Sequence, residues 1–97
     1  MKYTQLDNTY KYDTLAEAIY GREMEYFHYD FDRKNFEYLL TNLPESSYTQ
    51  DIAKRLADTV TQMENVKAIM SALLSQIDDQ AAYDAAVLRA IEKRKEK

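Results

Sequence analysis

Cysteine is absent from this 97-residue chain, and glycine and proline occur once each. Without cysteine there can be no disulfide framework, no thiolate zinc site and no cysteine nucleophile. One glycine and one proline leave few places for tight turns, so the chain reads as long uninterrupted elements and the fold class as all-α. Also missing is any apolar run of membrane-spanning length. The opening residues Met1-Lys2-Tyr3-Thr4-Gln5 lack the apolar core of a signal peptide, so a cytoplasmic protein with no membrane partner is expected. No glycine-rich phosphate loop occurs, and Ser46, Ser47, Ser71 and Ser75 form no nucleophile motif. The single histidine, His28, has no evident orienting partner outside its own helix. A protein that is not an enzyme and carries no cofactor is the expectation.

What the chain does have is a period. Hydrophobic residues make up 45% of it, enough to fold a single domain, though a chain this short buries a limited core unless it pairs with a second copy. From Ser47 to Ile77, Leu56, Met63, Met70 and Ile77 occupy one heptad position, and Ile52, Thr59, Val66 and Leu73 another. A helix gathers them into one stripe, which Ala53, Val60 and Leu74 widen. That stripe needs a cover.

The first helix is expected over 14–42. It opens on the capping box Thr14-Leu15-Ala16-Glu17 and ends before Leu43-Pro44, where proline drives the preceding residue out of the α region. Its apolar residues fall on two sides. Leu15, Ile19, Tyr26, Tyr29, Phe36 and Leu40 share one; Ala16, Tyr20, Met24, Phe27, Phe31 and Tyr38 share the other. A helix apolar on two sides has neighbours on two sides, and in so small a protein one of them can come from another subunit. Gly21 interrupts this helix as either a neutral accident or a point of close backbone approach. Residues 1–13, with Tyr3, Tyr10 and Tyr12 among Thr, Asn and Asp, suit a short extended N-terminal arm.

The loop at Pro44-Glu45-Ser46 is short, so the second helix, expected over 47–77 with Ser47 or Thr49 as cap, should run antiparallel to the first. Asp78-Asp79 is a good helix start and a poor helix end. A break there, with a third helix over 79–95 turning Tyr83, Val87, Leu88 and Ile91 inward, is preferred over continuation of the second helix. The architecture is therefore an antiparallel helical hairpin or a three-helix bundle.

The formal charge is -4, with five basic against nine acidic residues over 1–45 and five against three over 80–97. An acidic front half would repel a phosphate backbone, which argues against nucleic acid as a partner. The basic tail Lys93-Arg94-Lys95 complements the dipole of a helix C-terminus.

One motif could hold a metal. Glu25-Tyr26-Phe27-His28 is a Glu-x-x-His on a helix, with Asp32 one turn beyond, a spacing that also occurs in di-iron helical bundles. A symmetric dimer would supply a second copy of it. Alternating acidic and aromatic residues produce the motif by chance easily, so a polar helix face is the preferred reading. A flat-ligand pocket among the rings is the other alternative. The residues expected to mediate association are Tyr20, Tyr26, Phe27, Phe31 and Phe36, with Met63 and Met70 adding an adaptable surface. The expected partner is a second copy in a homodimer, or another protein.

Overall fold

A computed structural model describes residues 8–96. It contains three α-helices, α1 (Asn8–Asn42), α2 (Ser47–Leu74) and α3 (Gln80–Lys95), and no strand among the described residues. The chain is all-α, and α1 packs against α2 and α3. It divides into two compact units. One combines α1 up to Gly21 with everything from Met70 onward; the other holds Arg22–Ile69, which is the rest of α1, the connection and most of α2.

The first unit has a closed core. Tyr12, Leu15, Ala16 and Ile19 of α1 meet Ala86 of α3, with Leu73, Ile77, Ala82, Tyr83 and Val87 packed around them. The spacing 12, 15, 16, 19 is one helical face, and it starts two residues before the expected helix start at Thr14. That is why the arm expected over 1–13 is corrected over its second half: residues 8–13 are helical. Asn, Thr and Tyr are weak helix formers, but burying Tyr12 to 2% exposure outweighs a few tenths of a kcal/mol per residue of propensity. Residues 1–7 of that arm lie outside the described residues. The Thr14–Glu17 box is consequently internal to α1 and caps nothing.

α3 starts where Asp79 stops the chain. Asp79 is extended (φ -141°, ψ 97°), and its side chain accepts a 3.1 Å bond from the backbone of Ala82, the ordinary N-cap arrangement. Ahead of it α2 tightens into a turn through i to i+3 bonds from Gln76 to Leu73 (3.0 Å) and from Ile77 to Leu74 (3.1 Å). The second helix thus ends three residues before the expected Ile77. The expected inward face of α3 is also corrected. Tyr83 and Val87 do turn toward the core, but Leu88 is 64% exposed, while Ala86 and Ala90 are buried. Two alanines one turn apart let α3 lie close to α1, where larger side chains would hold it off.

The second unit is a two-helix hairpin. Its four-residue connection, Leu43 to Ser46, is capped one residue earlier than expected. Ser46 and Thr49 bond reciprocally, each backbone N–H donating to the other's hydroxyl at 2.8 and 3.2 Å. On α2 the expected stripe faces inward, with Ile52, Thr59, Met63 and Val66 all buried, while the residues expected to widen it, Ala53, Val60 and Leu74, are all exposed.

Candidate protein-interaction face

Within the second unit α1 has one covered side and one open side. Arg22, Tyr26, Tyr29, Arg33, Phe36 and Leu40, all half-buried, make the covered row. The open row is Met24, Phe27, Phe31 and Tyr38, at 39%, 66%, 53% and 66% exposure. At 100° per residue the two rows lie roughly 160° apart around the helix axis. Steps of three, four and seven residues keep the open row straight. Lys34 occupies the place left between Phe31 and Tyr38.

Lys34 would put a charge in the middle of an apolar row. Its ammonium is drawn off sideways, 3.1 Å from Asp30 Oδ2. Asp30 also accepts a 2.7 Å bond from Arg33, whose other arm donates to Glu37 at 2.8 Å. Arg33 and then Lys34 hold the Asp30 carboxyl below the usual carboxylate range. Asp30 and Glu37, with Glu23 seven residues before Asp30, make one edge of the row an acidic column. The other edge, His28, Asn35 and Asn42, carries no acidic residue.

The residues expected to mediate association divide. Phe27 and Phe31 lie on the open row. Tyr26 and Phe36 lie on the covered row and are half-buried within the hairpin. Met63 is also corrected: at 7% exposure it sits in the hairpin's own core and has no surface to offer. Met70, in the first unit, is half-buried. Tyr20, also in the first unit, carries the Arg94 guanidinium 3.6 Å above its ring centroid, and Arg94 pairs with Glu17 at 3.2 Å. Met24 and Tyr38 were grouped with the second stripe but not counted among the association residues. Their regular spacing with Phe27 and Phe31 was the signal.

The possible metal ligands do not converge. Glu25 lies 3.2 Å from Arg22 Nε, an ion pair without hydrogen-bond geometry, while His28 and Asp32 are exposed. Among the described residues no group of three or more metal-binding side chains comes together. The ring of His28 instead meets Phe27 edge-on, centroids 6.4 Å apart. Two clefts among the described residues are lined without any ring. A cleft of about 210 Å³ in the first unit is lined by Asp13, Glu17, Ala86, Arg89, Ala90 and Lys93. Another, of about 300 Å³ in the second unit, lies by Leu40, Leu43 and Thr49.

Gly21 is explained within the chain only as neutral: a Cβ built there meets nothing within 4 Å. Among the described residues no helix is long and apolar enough to cross a membrane. No protein-family model, no curated protein and no solved structure matches this chain.

Proposed function

We propose that the protein is a non-enzymatic interaction module of the cytoplasm that works by burying helix faces in a homodimer, with the open row of α1 as the contact. The observation that carries this reading is Phe27 at 66% exposure in line with Met24, Phe31 and Tyr38. Scattered exposed hydrophobics are ordinary, but a row of four on one helix face is a patch. Taking ~200 Å² for a fully exposed aromatic side chain, the row leaves on the order of 400 Å² of apolar surface open to water. An interface core with about 55–65% apolar area and about 800 Å² per partner requires about that much. The polar columns on either side supply the rim.

The test is a charge placed in the row. Phe27→Glu should leave helix content and the stability of the separate chain within about 0.5 kcal/mol of the parent, because the position is exposed. The same change should abolish association in size-exclusion chromatography coupled to light scattering. A variant that associates as well as the parent would remove α1 from the contact.

A further inference from the structure

We infer that the two copies lay their α1 rows together in the same direction, head to head and tail to tail, because only that arrangement sets the acidic edge of each row against the acid-free edge of the other. The inference rests on the homodimer reading and adds the direction of pairing to it.

Met24, Phe27, Phe31, Lys34 and Tyr38 alternate steps of three and four, the repeat of a two-stranded coiled-coil seam. Their flanking residues form two columns of different character. Glu23, Asp30 and Glu37 repeat every seven residues on one edge, and His28, Asn35 and Asn42 on the other. In a same-direction pair each column meets the opposite column of the second copy, five residues further on. Glu23 then faces His28, Asp30 faces Asn35 and Glu37 faces Asn42. No acid opposes an acid, and the histidine and the amides can donate to carboxylates.

Opposite-direction pairing sets each column against its own kind. Asp30 would face Asp30 of the second copy, and Glu23 would face Glu37 at both ends. Like charges so placed repel: Arg33 and Lys34 offset two of the three acids in each column, which leaves both edges net negative, and salt screens such rim charges only in part.

Same-direction pairing has one apparent fault, since it brings both Lys34 residues to one layer. The structure already removes it. Each ammonium is 3.1 Å from its own Asp30, so the charge lies at the acidic rim and only the aliphatic stem lines the seam.

The experiment uses the absence of native cysteine. Nitroxide labels are placed on the full-length chain at Asn35→Cys and, separately, at Asn42→Cys, and inter-label distances are read by pulsed electron resonance, with the mass of each labelled protein measured alongside. Both sites lie on the acid-free edge and are exposed. Same-direction pairing predicts equal distances at the two sites. A distance longer by roughly 20 Å at Asn42 than at Asn35, twice the rise of seven helical residues, would overturn the direction while leaving the dimer standing. Labelled proteins and parent that all stay at the mass of one chain would overturn the homodimer itself and leave the row to a different protein.

Discussion

The two units solve the same problem with different amounts of material. In the first, α3 closes the core: Tyr12, Leu15, Ala16, Ile19 and Ala86 are all buried. Three ion pairs on its surface tie one segment to another, Lys11 to Asp78, Asp13 to Arg89 and Glu17 to Arg94. In the second, α1 contributes half-buried residues, and the fully buried ones come from α2. Its ion pairs, Arg22 with Glu25 and Arg33 and Lys34 with their neighbours, all lie three or four residues apart on α1 itself. Exposed pairs contribute little stability in either place, so their value here is diagnostic. Segments that need one another exchange charges; a helix whose outer face has no neighbour in the chain satisfies its charges locally. A hairpin of two helices can bury one row of α1, and the second row stays open.

The largest expected difference between the units follows from Tyr12 and Phe27. Tyr12→Ala should lower stability to denaturant by about 3–5 kcal/mol, as deletions of buried rings do, while Phe27→Ala should change the separate chain by less than about 0.5 kcal/mol. Equal losses would show that Phe27 is covered in the single chain. Next comes the core of the hairpin. Ile52→Ala, at 4% exposure, should lose about 2 kcal/mol or more by the same measurement, and a neutral result would mean the hairpin is not packed.

A smaller effect of opposite sign is expected at Gly21. With open space for a Cβ, Gly21→Ala should raise the thermal midpoint through a gain of up to about 1 kcal/mol in helix propensity. A loss of stability or association would reveal a second backbone lying against that site.

The last effect is a pH slope that Asp78 gives the first unit. Tyr12 and then Lys11 hold the Asp78 carboxyl below its usual range by donating to it. Since the folded value lies under the unfolded one, this contribution is complete above about pH 4 and fades as the pH falls through the folded value. Asp78 in turn raises Tyr12 and Lys11 above their usual values. Their contribution is complete below about pH 10 and fades as the pH rises through the raised values. Asp78→Asn should flatten the acid side of the stability profile without altering that of the hairpin core.

Much of this was legible in the residues. The stripe of α2 was, because Ile52, Thr59, Met63 and Val66 repeat at helical spacing on a helix otherwise polar enough to leave no rival face. The stop before α3 was, because Asp79 is a good cap. The start of α1 was not, since the case for helix before Thr14 lies in the burial of Tyr12 against distant segments. The facing of α3 escaped for a related reason: Ala86 and Ala90 carry too little apolar surface to outvote Leu88 and Ile91 in any periodicity, yet small size is what close packing selects. The two rows of α1 were both visible, but Tyr26 with Phe36 and Phe27 with Phe31 are chemically alike. Only the position of α2 decides which pair is covered, so periodicity alone could not separate the half-buried Tyr26 and Phe36 from the exposed Phe27 and Phe31.

Sedimentation equilibrium of the unaltered protein, over a dilution series spanning micromolar concentrations, tests most directly whether the open row of α1 is completed by a second copy. The mass should approach twice 11.4 kDa at the upper end and fall toward 11.4 kDa on dilution. A mass of 11.4 kDa throughout would contradict it.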